Sequence, residues 1–121
     1  MNKKCTSSIH LDVESIELIK STIEKKYYSE NHLLYYKGHI PLVAFLVSEG
    51  QVHLTSQKKI KHIAKSGQLI GLHEFFYHSP SLLDAHATRG TVLYFLDKSS
   101  LNELMKTNPS KLSSALKELV K

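Results

Sequence analysis

Residues 67–80 read GQLIGLHEFFYHSP, with two glycines four residues apart, a short apolar turn and a closing proline. A strand that stops at Gly71 and continues as one helical turn directs the first backbone N–H groups of that turn at one point. Converging backbone N–H groups can hold an anion. The segment therefore predicts a strand–turn–helix junction, and we interpret the rest of the sequence as the scaffold around it.

The composition indicates one soluble domain. The chain has 121 residues, of which 41% are hydrophobic and 22% charged. A chain of this length buries a core without disulfides or bound metal ions. No apolar run reaches the roughly 18 residues of a membrane span. The N-terminus lacks the apolar core of a signal peptide, so we expect a cytoplasmic protein. Cys5 is the only cysteine, which excludes an internal disulfide and a cysteine-rich metal site.

Strand signals occupy the centre of the chain. Between residues 24 and 97, short β-branched and aromatic runs alternate with turn signals such as Lys37-Gly38-His39 and Ser48-Glu49-Gly50. Short strands at near-regular spacing are typical of a small antiparallel barrel or jelly roll. We therefore predict a mainly β fold with flanking helices, as a single domain over residues 1–121 with the barrel at 24–97.

Helices are predicted at both ends of the barrel. Asp12 is a good N-cap for a helix over residues 12–23, which carries an apolar stripe. Two more helices are predicted at 99–106 and 109–120, the second opened by Asn108-Pro109. Its apolar stripe consists of Leu112, Ala115, Leu116 and Leu119. This stripe can pack on its own barrel or form the seam of a homodimer, and the sequence leaves both interpretations open.

The order of these elements resembles the cyclic-nucleotide-binding domain of the catabolite-activator (Crp/Fnr) regulators. The similarity is carried by Tyr36-Lys37-Gly38 and by residues 44–52, 66–71 and 93–97. It covers residues 13–121 and implies an antiparallel jelly roll of the double-stranded β-helix type. It also implies a regulatory module rather than an enzyme.

The resemblance further implies that the segment from Gly71 is a phosphate-binding cassette. In that family an acidic residue after the glycine bonds the ribose hydroxyl, an arginine after the proline grips the cyclic phosphate, and a small hydroxyl residue follows. This sequence keeps Gly71 and Pro80 but has Leu72, Ser81 and Leu82 at those three positions. A leucine cannot accept a hydrogen bond, and a serine cannot neutralise a phosphate or present a bidentate fork.

The candidate pocket residues are those of the cassette: Gly71, Leu72, His73, Glu74, Pro80, Ser81 and Leu82. We expect Leu72, Phe75 and Leu82 to crowd the place where the family holds ribose and phosphate, because apolar side chains gain by burial. We also expect that cyclic AMP and cyclic GMP do not bind appreciably.

The functional hypothesis is a non-catalytic regulatory or signalling module with a degenerate cassette, acting through a protein partner and without a cofactor. The alternative is a sensor that binds a cyclic nucleotide or another small effector in the same pocket. The sequence ends at Lys121 without the helix-turn-helix domain of the family's regulators, so DNA binding is not expected. The net charge of +5 allows an acidic partner, a nucleic acid or an anionic membrane surface.

The eight histidines suggest a second alternative, a metal-dependent enzyme on a cupin-like barrel. Such a site needs His-x-His on one strand, and no His-x-His occurs in the sequence. His73 and Glu74 are adjacent, and adjacent residues on a helix point apart. We therefore expect no metal site and no catalytic residues, while haem ligation by a histidine is left open by the sequence.

Lysines cluster in one predicted hairpin, at positions 58, 59, 61 and 65. We interpret them as a solvated edge that resists strand pairing. The same cluster could also dock an acidic partner.

Overall fold

The computed structural model describes residues 8–10, 13–100 and 102. In this part of the chain two helices and nine strands follow one another: β1 (Ser8–His10), α1 (Val13–Thr22), β2 (Lys25–Tyr28), β3 (His32–Tyr35), β4 (Ala44–Glu49), β5 (Val52–Ser56), β6 (Lys59–Ala64), β7 (Gln68–Ile70), α2 (Leu72–Tyr77), β8 (Asp84–Ala87) and β9 (Thr91–Leu96). The prediction of a mainly β fold is confirmed.

The predicted terminal helices are covered only in part. Helix α1 lies within the predicted range 12–23, and residues 98–100 and 102 are helical, where the predicted helix 99–106 begins. Residues 101 and 103–121, including the whole of the predicted helix 109–120 and its apolar stripe, lie outside the described residues. Among the described residues, no helix has the length and apolarity needed to cross a membrane.

The strands form two antiparallel sheets. The five-stranded sheet has the order β1-β7-β4-β9-β2, and the four-stranded sheet has the order β3-β8-β5-β6. Every strand pairing is antiparallel. Since side chains of both sheets share one buried cluster, the two sheets pack face to face, which is the jelly-roll form of the predicted barrel.

The central strand β4 separates two apolar clusters. Successive side chains of a strand point to opposite faces. Phe45 and Val47 therefore enter the inner cluster, between the two sheets. Ala44 and Leu46 enter the outer cluster, where Ile19 of α1 packs on the five-stranded sheet. This explains the continuous apolar run of the sequence, since β4 is covered on both faces.

The corner between β4 and β5 requires glycine. Gly50 has a φ of +84°, and a Cβ at this position would lie 2.6 Å from Thr91 Oγ1 and 2.7 Å from Thr91 Cα. The buried Thr91 hydroxyl donates to the Gln51 carbonyl at 3.0 Å and accepts from the Gln51 N–H at 3.2 Å. The start of β9 is thereby fixed against this corner.

The predicted basic hairpin is the β5–β6 turn. Gln57 and Lys58 adopt left-handed backbone conformations, with φ of 53° and 65°, as a two-residue hairpin loop requires. Strand β6 lies at one end of the order of its sheet, and the four lysines are exposed. Lys59 and Lys61 lie on this edge strand, with Lys58 in the turn before it and Lys65 directly after it, which agrees with the interpretation as a solvated edge.

Candidate functional site

The predicted strand–turn–helix junction is present at Gly71. Strand β7 ends at Ile70, Gly71 has a left-handed backbone with φ 78° and ψ 0°, and α2 starts at the next residue. The Phe75 N–H donates to the Gly71 carbonyl at 2.9 Å and closes the first turn. Helix α2 has six residues and ends at His78, which is also left-handed.

Gly71 lies against aromatic rings of the inner cluster. A Cβ at this position would lie 3.6 Å from Tyr35 Cε2, 3.7 Å from Phe45 Cδ1 and 3.7 Å from the Val43 carbonyl oxygen. These are ordinary van der Waals distances, so the positive φ, and not a lack of space, favours glycine here. The first residue of the cassette therefore touches the inner cluster.

Leu72 and Phe75, which we expected to crowd the place where the family holds ribose and phosphate, pack against the outer cluster. Leu72 is buried in the outer cluster, and Phe75 packs against the same cluster. Residues three apart share one face of a helix, and this face of α2 lies on the five-stranded sheet beside α1. Both side chains therefore anchor α2 to this sheet.

The exit of the cassette is held by backbone hydrogen bonds. The Ser81 N–H donates to the His39 carbonyl at 2.8 Å, and the Gly38 N–H donates to the Ser81 carbonyl at 2.7 Å. The neighbouring Lys37 N–H donates to Asp84 Oδ1 at 2.6 Å. Residues 37–39 and the cassette exit thus form one joined unit.

The side chain of Ser81 is buried, with 3% of its surface exposed. Its hydroxyl donates to the Leu83 carbonyl at 2.6 Å and accepts from the Leu83 N–H at 3.1 Å. The single O–H donor at the family's arginine position is therefore committed to the local backbone. Leu82 is 60% exposed, and Pro80 is exposed as well.

Glu74 is the buried carboxyl group of the cassette. It is 5% exposed, and its Oε1 has no hydrogen-bond partner among the described residues. Burial raises the pKa of this carboxyl, against smaller lowering effects of its own backbone N–H and of neighbouring His73. The His73 ring packs on Tyr77, with 4.8 Å between the ring centroids. Glu74 and His73 therefore do not form a ligand pair.

The two ends of the cassette are connected through α2. The Ser79 N–H donates to the Glu74 carbonyl at 3.0 Å, so the segment after the helix folds back onto its last turn. The seven candidate residues thus form one compact segment, in which Gly71 contacts the inner cluster and Leu72 the outer one. Among the described residues no group of three or more His, Cys, Asp or Glu side chains could hold a metal ion.

The one arginine of the sequence lies at the far end of β8. Arg89 follows that strand and lines a polar recess with Ser29, Glu30 and Asn31. The backbone N–H of Arg89 donates to Asn31 Oδ1 at 2.8 Å. The cassette exit precedes the same strand. Since a strand rises about 3.3 Å per residue, the length of β8 separates the two by roughly 10 Å. Arg89 therefore lies at the opposite end of β8 from Ser81, the position where the resemblance implies an arginine.

An apolar cavity of about 370 Å³ opens next to the cassette. It is lined by Tyr28, His32, Leu34, Tyr35, His39, Ile40, Pro41, Leu42, Val43, Phe45 and Phe95. None of the seven candidate residues lines this cavity. Gly71 nevertheless contacts its wall, because the rings of Tyr35 and Phe45 are neighbours of Gly71.

Sequence reasoning missed this cavity, including two of the histidines that line it. His32 stacks on Tyr28 with 4.8 Å between the ring centroids, and His39 meets Tyr36 edge-on at the same distance. The only signal in the sequence was the density of aromatic residues between positions 27 and 36. That density predicted strands but did not show which rings would surround a common space.

The sequence matches the family model of the cyclic nucleotide-binding domain over residues 25–108. No curated protein has a significantly similar sequence. A protein of a cyclic-GMP-dependent signalling pathway that regulates bacterial phytopathogenesis shares the fold, with a TM-score of 0.80, 16% identity and coverage of 92% of both chains.

Two bacterial regulators are also similar in structure. The catabolite activator protein of Thermus thermophilus has a TM-score of 0.72 and 22% identity, with 91% of this chain covering 54% of that one. The N-terminal domain of a transcriptional regulator from Streptomyces coelicolor A3(2) has a TM-score of 0.69 and 20% identity, with coverage of 91% and 79%. At these identities the structural similarity establishes the fold.

Proposed function

The chain belongs to the cyclic nucleotide-binding domain family, and we propose that it is a non-catalytic regulatory module with a degenerate cassette that acts through a protein partner. The family fold supports a regulatory or sensor role. The degenerate cassette and the protein partner are the specific parts of the proposal.

The observation that carries the proposal is the position of Ser81. Where the resemblance implies an arginine for the cyclic phosphate, the chain has a buried serine whose hydroxyl is bonded to Leu83. The backbone of Ser81 is also held from both sides by residues 38 and 39. A phosphate at this point would lose its hydration without gaining a guanidinium partner.

The loss of affinity follows from the two missing contacts. A hydrogen bond to a charged group contributes about 1.5–3 kcal/mol, so losing the arginine and the acidic residue removes roughly 3–6 kcal/mol. At about 1.4 kcal/mol per decade, a site with a Kd near ~1 µM weakens to between roughly 100 µM and 10 mM. Leu72 cannot compensate, because its side chain lies in the outer cluster.

Exposed apolar side chains support a protein partner. Tyr36, Ile40, Leu42 and Leu82 are 53%, 44%, 84% and 60% exposed. Tyr36, Ile40 and Leu42 flank residues 38 and 39, and Leu82 follows Ser81, whose backbone is hydrogen-bonded to those two residues. We call these four side chains the apolar rim. Exposed apolar groups that lie together mark interaction surfaces more often than chance placement does.

Isothermal titration with cyclic AMP and cyclic GMP tests the degenerate cassette. We expect no dissociation constant below about 100 µM for the unaltered protein. Ser81→Arg should strengthen binding by roughly 10- to 150-fold, because it restores one charge-assisted hydrogen bond. Leu82→Arg is the matched control, since it adds the same charge one residue further on, at an exposed position.

Three results would contradict the degenerate cassette. The first is a Kd below about 10 µM for either nucleotide with the unaltered chain. The second is an equal gain from both arginine variants, which would reflect general charge rather than position 81. The third is a correctly folded Ser81→Arg protein with unchanged affinity, which would trace the loss to another position.

A further inference from the structure

The cavity beside the cassette has the size of a small-molecule site. Its volume of about 370 Å³ falls within the range of roughly 300–1,000 Å³ found for ligand pockets. Six of its eleven lining residues carry an aromatic ring: Tyr28, His32, Tyr35, His39, Phe45 and Phe95. We propose that this cavity binds an uncharged molecule that contains an aromatic ring.

The walls of the cavity are ordered by ring contacts. Phe45 meets Phe95 edge-on with 5.0 Å between centroids, and it also packs against Tyr35 at 6.0 Å. Tyr28, Tyr35 and Phe45 are buried to more than nine-tenths. Because these rings are already held in place, a bound ring gains edge-to-face or offset contacts without an added cost of ordering the wall.

The charges of the lining select an uncharged molecule. None of the eleven lining residues carries a carboxylate, an ammonium or a guanidinium group. The Nζ of Lys26 lies 5.9 Å from the Tyr28 ring centroid, but Lys26 does not line the cavity. Burial raises the pKa of the Tyr28 phenol, so this phenol stays neutral. An ion would therefore lose hydration without gaining a counter-charge.

Polar groups in the lining are few and can orient a ligand. The imidazoles of His32 and His39 belong to exposed residues, and the phenol of Tyr28 belongs to a buried one. Small-molecule sites commonly combine an apolar wall with a small number of such donors and acceptors. Ile40 and Leu42 continue the apolar lining to the exposed surface.

This site is separate from the cassette segment but adjoins it. Leu72, Ser81 and Leu82 do not line the cavity, so the inference does not rest on the degenerate cassette. The wall meets the cassette at Gly71, and the His39 carbonyl binds Ser81. Residues of the cavity wall therefore adjoin both ends of the cassette.

The test is a two-dimensional ¹H–¹⁵N NMR titration of the full chain with indole. Indole-3-acetate and tryptamine are the matched probes, because they add a negative or a positive charge to the same ring. We expect saturable shifts of cavity-lining amides with indole and at least tenfold weaker binding of both charged probes. Intermolecular NOEs from indole to Leu34 and Phe95 should place the ring inside the cavity of the unaltered protein.

Leu34→Trp should abolish indole binding, because a larger side chain from the lining occupies the space. Ile60→Trp is the control, since Ile60 is 53% exposed on β6, at the opposite edge of the sheet from β3. Absence of saturable shifts, NOEs to residues outside the cavity, or equal binding of the charged probes would overturn the proposal. The NOE result decides the matter if Leu34→Trp does not fold.

Discussion

Replacing the buried carboxyl of Glu74 by an amide should stabilise the protein at neutral pH. Glu74 is 5% exposed and its Oε1 has no partner among the described residues. A buried group without its hydrogen bond costs about 1–3 kcal/mol, and more when it is charged. An amide at this position also lacks a partner but carries no charge, so Glu74→Gln removes only the additional cost of the charge. We therefore expect it to raise the free energy of unfolding at pH 8 by about 1 kcal/mol.

The effect of Glu74→Gln should depend on pH in one direction. Burial raises the pKa of Glu74 above its ordinary value of 4.5, so the unfolded chain releases this proton first. Below pH 4.5 the carboxyl is neutral in both states, and the unaltered protein carries no penalty. As the pH rises from there through the raised pKa of the folded state, the unaltered protein loses stability relative to the variant.

Urea unfolding followed by far-UV circular dichroism, at intervals from pH 3.5 to pH 8, measures this difference. The other acidic groups titrate in both proteins and cancel in the comparison. Glu49→Gln is the control, because Glu49 is exposed, and its effect should stay within about 0.5 kcal/mol at every pH. A difference that does not grow with pH, or a variant less stable at pH 8, would refute the reasoning.

Two further predictions concern the apolar rim and the β4–β5 corner. The double variant Leu42→Asp, Leu82→Asp should lose a co-purifying protein partner, as measured by quantitative affinity capture. The control variant Ile60→Asp should retain that partner. Equal recovery of the partner from both variants would contradict the apolar rim as its binding surface. Gly50→Ala should destabilise by about 1–3 kcal/mol more than Gly38→Ala, because only Gly50 has an obstructing neighbour in addition to its positive φ. Equal losses of melting temperature would show that the contact with Thr91 relaxes freely.

The sequence was sufficient for the fold because local signals and burial agreed. The apolar run at residues 42–47 is typical of a strand buried on both faces. Residues 44–47 of β4 do lie between two clusters, whereas Leu42 precedes the strand and is 84% exposed. Gly71 was predicted as the end of a strand and the start of a helical turn, and its backbone has that role. Such features depend on a few neighbouring residues, so they can be read from a single sequence.

The orientation of the cassette could not be predicted in the same way. Helix α2 has six residues and is apolar on more than one side, so its periodicity does not distinguish the sheet from the pocket. The sequence therefore did not show that Leu72 and Phe75 pack against the outer cluster. Glu74 was a candidate pocket residue, and its burial could not be predicted, because it depends on how α2 packs on the five-stranded sheet and not on its sequence neighbours.

The cavity was beyond sequence reasoning for a related reason. Its walls come from β2, β3, the loop before β4, and single residues of β4 and β9. Tyr28 and Phe95 are brought to one space only by the pairing of distant strands. No spacing rule connects such positions, whereas the cassette is a continuous segment that a motif can identify.

The bonds between residues 37–39 and the cassette exit also determine when the chain can complete this region. Lys37 and Asp84 are 47 positions apart in the sequence, so their contact closes a long loop and belongs to the slow, non-local part of folding. During synthesis, residues 37–39 emerge before Ser81 and Asp84, the residues to which they are hydrogen-bonded. A chain interrupted before Ser81 therefore has the turn at Gly38 but none of the bonds that hold residues 37–39 to the cassette exit.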